Sequence, residues 1–447
     1  MSPDAPSLLF KNAMLVNEGR QWNSDLLIKN GRIEKIAEGI QTREAVREID
    51  AGGKILMPGV IDVHVHFREP GLTHKADMAT ESRAAVAGGT TSYMEMPNTK
   101  PPVLTQELLE DKYRRAAGQS VANYSFYMGV SNDNVEEVLR VNEKKDRVCG
   151  LKIYMGSSTG NMLVDNSHAL AQIFAGVEVL IATHCESEAV IHANKAKYPD
   201  VHDVRMHPVI RDVAACYEST ALAIALAEKH HSRLHIAHVT TAKETELFNN
   251  TAPLSEKQIT AEVCTHHLHF TADDYDRLGT KIQCNPAIKE GMNKEGLWQA
   301  LLSDRIDLIA TDHAPHTAEE KQRPYPSSPS GLPLVQHSLL MMMHYVKEGR
   351  ISLERMVEKM CHAPATCYRL RERGFLREGY YADLVLLNPD KPYTINRQNL
   401  YYKCGWSPLE GFTSPATVEQ TLVNGRMAYE NGIVANPSKG MRLLFDR

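Results

Sequence analysis

Residues 55–68 read ILMPGVIDVHVHFR. A near-continuous apolar run that ends in imidazoles is the pattern of a strand buried on both faces, with chemistry at its C-terminal end. Residues two apart on a strand share a face, so His64 and His66 point the same way. With 55–64 as the first strand, similar runs follow at 91–96, 124–129, 148–154, 177–184, 233–239, 259–264 and 306–312. Helix-patterned stretches intervene, among them THKADMATESRAAVAGG, TQELLEDKYRRAAG and YESTALAIALAEKHH. Eight strands alternating with helices predict an α/β protein built on a (β/α)8 TIM-like barrel.

The two ends of the chain read differently. Residues 7–50 and 381–434 carry short alternating strands, with hairpin-type turns at Asn30-Gly31 and Asn424-Gly425. Each end is too short for a stable sheet alone. They are therefore expected to pair into one small β-sandwich module, 1–54 with 380–447, around a barrel spanning 55–379. The stretch Thr317–Pro333, rich in Pro and Ser, predicts a long loop over the site.

Composition excludes several functions. The 447 residues carry 50 Lys plus Arg against 55 Asp plus Glu, a net charge of −5. That balance gives no electrostatic case for binding nucleic acid or an anionic membrane. Apolar residues at 43% and charged ones at 23% match an ordinary globular chain. Eight scattered Cys without a CxxC pair point to a reducing compartment and to core roles, as for Cys149 and Cys264. No apolar stretch reaches the ~20 residues of a membrane span, and MSPDAPSLLFKNAML lacks a signal core. A cytoplasmic protein is expected.

Chemistry in such a barrel sits where the strands end. His64 and His66 close the first, Lys152 lies in the fourth, His184 closes the fifth, His238 the sixth and Asp312 the eighth. An isolated HxH is unremarkable, and His184 or His238 alone reads as structural. At one barrel mouth, His64 and His66 suit a divalent metal. Asp312 follows the apolar LIAT, and a desolvated carboxylate there needs a cation or hydrogen bonds. Lys152 lies between Leu151 and Ile153. Either it snorkels to the rim, or burial keeps it neutral and it reacts with CO2 to give an anionic carbamate bridging two metals.

The segments DVHVHFREPG, MEMPNT, LKIYMG, ATHCE, LHIAHVTT, EVCTHHL, CNPAIK and ATDHAPH resemble, in order, the amidohydrolase superfamily and within it the dihydroorotase family. The likeness spans residues 55–340, and the β-rich ends resemble the module flanking these barrels. It implies two Zn ions per subunit. His64 and His66 would bind the more buried zinc, with Asp312 completing that site, and His184 and His238 would bind the second. The CO2-derived carbamate on Lys152 would join them, with a bridging hydroxide. Asp312 would take the hydroxide proton and pass it to the leaving nitrogen.

The substrate would be N-carbamoyl-L-aspartate or L-dihydroorotate, in pyrimidine biosynthesis. Arg68, Asn98 and His316 would hold its carboxylate, Asn285 the ring amides, and Ser330-Gly331 would offer backbone contacts. Loop 156–160 resembles a mobile loop in which Ser158 or Thr159 touches substrate. Relatives are commonly dimers, so a homodimer is the assembly to test. Two departures stand out. One branch bridges its metals with an Asp in an FSDDG-like segment that is absent here. A PFGIVGLE-like stretch of many relatives reads PSGLPLVQ.

Of His266, His267 and His269, none takes a ligand role, and the first is expected to pack beneath the site. Related ring-opening enzymes, allantoinase and dihydropyrimidinase, share the metal ligands, but their neutral rings would leave Arg68 buried and unpaired. A non-catalytic homologue would usually have lost ligands. A metal-free barrel would need separate explanations for five strand ends.

Overall fold

The computed structural model describes residues 7–43, 45–156, 162–435 and 440–447. Eight parallel strands form the central sheet: β1 (Val60–Val65), β2 (Thr90–Glu95), β3 (Asn123–Gly129), β4 (Gly150–Tyr154), β5 (Ile181–His184), β6 (Leu234–Ile236), β7 (Ile259–Cys264) and β8 (Leu308–Ala310). Each pairs with its sequence neighbour. Val65 bridges His313 in parallel, and the His66 N–H donates to the His313 carbonyl at 2.7 Å, which closes the barrel. The expected (β/α)8 architecture is present, with every expected strand represented.

Burial explains why periodicity alone locates these strands. In β4, Lys152 faces inward while Leu151 and Ile153 join the outer core, which also holds helix residues such as Ile173 and Phe174. The intervening helices are capped as their sequences require. Asp77 and Thr80 form a reciprocal capping box on the helix Met78–Ala87, and Asp212 accepts from the Ala215 N–H on the helix Val213–His230. Among the described residues no helix is long and apolar enough to cross a membrane.

Both chain ends build one nine-stranded sheet. Leu8–Asn17 pairs with Arg20–Lys29, while Leu384–Asn388 pairs with Thr417–Val423. Leu384 and Leu386 join Phe10, Leu15, Leu26 and Leu56 in a core of the sheet's own; Val385 and Leu387, one residue out of phase, join the barrel's outer core.

The expected first strand 55–64 is in fact two. Ile55–Pro58 belongs to the terminal sheet, parallel to Leu8–Asn17 and antiparallel to Leu384–Asn388. β1 begins only after Gly59, where a Cβ would come within 2.1 Å of the Thr91 side chain. Residues 441–447 leave the sheet and run beneath the barrel, with the Leu443 N–H donating to the Tyr124 carbonyl. All eight Cys are unpaired and seven are buried.

Candidate metal centre and substrate pocket

The polar residues of five strand ends converge on the C-terminal mouth. The register of β1 against β2 shifts between Asp62 and Val65. This bulge re-aims the strand, so Val63 joins the apolar floor while adjacent His64 also points inward. His64 Nε2 and His66 Nε2 lie 3.2 and 3.0 Å from the same Asp312 oxygen, Oδ1. His184 Nδ1 and His238 Nε2 approach to 2.9 Å. His64, His238 and Asp312 each offer a ligand atom within 4.8 Å of the others.

Arg68, His238 and Asp312 have φ of 69°, 39° and 47°. Left-handed backbone at non-glycine residues costs energy, and here three strained positions cluster at one mouth.

Lys152 is fully buried, and its Nζ has no hydrogen-bond partner. Burial pushes its amine pKa down, against the pull of Glu262 and Asp312. His238 Nδ1 is likewise buried and without a partner. Burial lowers the pKa of His184 and takes that of His66 down to about 4, so both favour the neutral, ligand form. Burial would raise the Asp312 carboxyl, but His64 and His66 hold it well below the carboxylate range. Against its burial, Glu262 and Asp312 raise the pKa of His64, as two carboxylates flanking one ring would. Imidazoles converging on one carboxylate, beside an orphaned amine, are a donor set that fits divalent cations.

The imidazoles have an outer ring of partners, of which the sequence points only to Asn98, and that as a substrate contact. Glu262 on β7 accepts from His64 Nδ1–H at 2.5 Å, His235 Nε2–H at 3.0 Å and the His238 N–H at 3.1 Å. Glu186 accepts from His184 Nε2–H at 3.0 Å and pairs with Arg211. Asn98 Oδ1 accepts from His66 Nδ1–H at 2.8 Å. Such contacts fix ring orientation and leave the opposite nitrogen for a metal. The available signal for Glu262 was an acid in the otherwise apolar strand ITAEVC.

Four of the expected substrate residues, Arg68, His316, Ser330 and Asn285, follow one another in a chain of polar contacts. Arg68 is buried; its Nε–H donates to the Pro315 carbonyl at 3.0 Å and its Nη2 lies 3.1 Å from His316 Nε2. His316 Nε2 lies 3.0 Å from the Ser330 carbonyl, and Ser330 Oγ–H donates to Asn285 Oδ1 at 3.1 Å. His207, unassigned in the sequence, donates from Nε2 to the Cys284 carbonyl at 2.8 Å and lies 3.1 Å from Asn285 Oδ1. Gly331 has φ 141°, and a Cβ there would meet the Ala314 carbonyl at 2.4 Å. A cavity of about 420 Å³ opens beside these groups, lined by Arg68, Lys75, Asn98, Met162 and His316 among others.

His266 is fully buried, its ring centroid 4.0 Å from that of His267. Cys264, His266 and His267 offer ligand atoms within 4.8 Å of one another. Ser158 and Thr159 lie outside the described residues.

The fold and this donor set place candidate metal ligands at the mouth of a (β/α)8 barrel. The Amidohydrolase family profile matches residues 55–428, and the chain belongs to that family, whose members generally bind metals. The chain is 32% identical over 417 residues to the dihydroorotase of Methanothermobacter thermautotrophicus, covering 93% of each. It is also 32% identical over 434 residues to the dihydroorotase of Listeria innocua, covering 95% of this chain and 99% of that one. Its structure matches that of an L-hydantoinase (dihydropyrimidinase) from Arthrobacter aurescens with a TM-score of 0.92 at 27% identity, covering 98% and 99% of the chains.

Proposed function

We propose that this chain is a dihydroorotase, interconverting N-carbamoyl-L-aspartate with L-dihydroorotate and water. The observation that carries this reading is Arg68. Arg68 is 3% exposed, beside the donor set, and among the described residues its Nε–H donates to a carbonyl while its Nη2 lies against an imidazole. Asp312, Glu95 and Glu320 act on this buried cation only through space, and a planar carboxylate in direct contact would suit its fork.

His64, His66 and Asp312 would hold one zinc, His184 and His238 a second, with Lys152 as its carbamate between them. The orphaned Lys152 Nζ and His238 Nδ1 support the fit, since unsatisfied buried polar atoms need a role. The chemistry such ions supply when bound is Lewis-acid polarisation of a carbonyl and a lowered pKa for water.

The chain's own groups do the rest. Asp312 lies within 3.2 Å of both HxH imidazoles. It takes the proton of the attacking water on its carboxylate and delivers it to the leaving ring nitrogen. Arg68, Asn98 and His316 hold the substrate carboxylate. Asn285 and the Ser330-Gly331 backbone hold the ring amides. Glu262 and Glu186 keep the imidazoles turned inward.

The hydantoinase likeness favours a second reading, a related ring-opening enzyme such as an allantoinase or dihydropyrimidinase, whose rings bear no carboxylate. Side-by-side assays with dihydroorotate, allantoin and dihydrouracil, with metal analysis of the same sample, separate the two. Dihydroorotate should be the best substrate. In Arg68→Ala its KM should rise by about 10- to 100-fold, the worth of a charged hydrogen bond, with metal content unchanged. Preference for dihydrouracil, or loss of metal in that variant, would count against the assignment.

A further inference from the structure

Lys75 lies outside every motif considered so far, yet it faces the pocket. It lies in the loop between β1 and the helix Met78–Ala87, on the wall of the cavity that Arg68 and His316 also line. Lys75 Nζ is 2.9 Å from His316 Nδ1 and 3.1 Å from Glu320 Oε1.

The proton inventory of His316 decides what this contact does. An ammonium only donates, and so does a guanidinium. Lys75 approaches one ring nitrogen and Arg68 Nη2 the other, at 3.1 Å. A neutral imidazole has one acceptor nitrogen, so it can accept from only one of them. The Ser330 carbonyl, which only accepts, lies 3.0 Å from Nε2. One assignment satisfies two of the three contacts together: Lys75 donates to Nδ1, and Nε2 carries the proton and donates to Ser330. Arg68 Nη2–H then faces an N–H rather than a lone pair. Two donors side by side, both buried, are a site for an anion with two acceptor oxygens. Burial, Arg68 and Lys75 oppose protonation of His316 and outweigh Glu320, whose Oε2 lies 3.7 Å from Nδ1, beyond hydrogen-bond reach, so the ring stays neutral.

We propose that Lys75 is a positioning residue for the carboxylate pocket, placing the single proton of His316 on Nε2 so that His316 and Arg68 present paired donors to the substrate acid. Glu320 holds the ammonium in place. A capping box with Thr317 holds Glu320 in turn, so this link begins in the Pro- and Ser-rich loop. The inference rests on the reading that an acid-bearing ring is the substrate.

Lys75→Met and Lys75→Arg, in the metal-loaded enzyme, test it. Lys75→Met should raise the KM for dihydroorotate by about 10- to 100-fold, the range for losing a charged hydrogen bond, with kcat and metal content nearly unchanged. Lys75→Arg keeps the donor and should restore most of the affinity. The 15N signals of His316, assigned with His316→Asn, should show a lone-pair nitrogen at Nδ1 in the parent enzyme and a change of tautomer in Lys75→Met.

An unchanged KM in Lys75→Met, a parallel loss of kcat or metal, failure of Lys75→Arg to rescue, or a proton on Nδ1 in the parent enzyme would each overturn the proposal. If the parent enzyme does not prefer dihydroorotate to dihydrouracil, the substrate reading fails. The 15N signals then decide the tautomer claim alone, because they need no substrate.

Discussion

Lys152 and Glu262 show two ways in which a buried charged residue earns its place. Lys152 has no partner at Nζ, whereas Glu262 has three donors. Removing them should therefore fail differently. On the proposed function Lys152→Ala would delete the bridging group, so metal analysis should find fewer than two equivalents, and short carboxylic acids should restore part of the activity. Two full equivalents in that variant would remove the case for a carbamate. Glu262→Gln keeps the shape but turns one acceptor oxygen into a donor amide, which must face either the His64 or the His235 N–H. Loss of such an orienting acceptor typically weakens metal binding by about 10- to 100-fold, which a chelator competition would measure.

Lys152 was legible because an amine inside an apolar strand demands a reason. Glu262 offered the same kind of signal, but its partners stayed hidden, because His235 and His238 come from the neighbouring strand and the segment just after it. Only the register of β6 against β7 brings these together. Glu186 was equally hidden. Its partner Arg211 lies 25 residues further on, and no periodicity links them.

At the level of elements, the loop after β8 carries its own titration. Its short helix Ala318–Lys321 ends in a buried lysine whose Nζ–H groups donate to the Gln283 and Pro329 carbonyls at 3.1 and 2.8 Å. Burial, helped by Arg68 and Lys75, takes the Lys321 pKa down to about 7. The unfolded chain, near 10.5, binds this proton more tightly than the folded one. Stability therefore rises with pH from about 7 toward 10, where the folded state has lost the charge and the unfolded state has not. The slope is at most about 1.4 kcal/mol per pH unit for one group. Thermal melts from pH 7 to 9.5 should show the parent protein gaining on Lys321→Met as pH rises; parallel curves would remove Lys321 as the cause.

The same level shows where strand boundaries were readable. β7 was placed to the residue, at Ile259–Cys264, because polar residues bracket it. The join at Pro58-Gly59 was missed because Ile55–Pro58 and Val60–Val65 are both wholly buried, so no change of period marks the passage from one sheet to the other. Pro58 and Gly59 were the only punctuation.

Across the whole molecule, stability and chemistry occupy opposite ends of the barrel. Leu443 and Phe445 are fully buried in a floor with Ile61, Val63, Met94, Tyr127, Leu308 and Tyr368. The tail is tied down along its length. The Phe445 N–H donates to the Asp146 carbonyl at 3.0 Å, and the Arg447 guanidinium donates to the Val148 and Cys149 carbonyls at 3.1 and 2.6 Å. These carbonyls precede β4, at the N-terminal face, while His64, Lys152 and Asp312 lie at or toward the other. Phe445→Ala should then open a cavity under the floor at a cost of about 3–5 kcal/mol, the usual range for a buried phenylalanine. The site above does not touch this ring. Metal content and KM at low temperature should stay at parent values, while the midpoint of thermal inactivation falls by several degrees. A variant that melts normally, or that loses metal in the cold, would show that the two ends are not separable in this way.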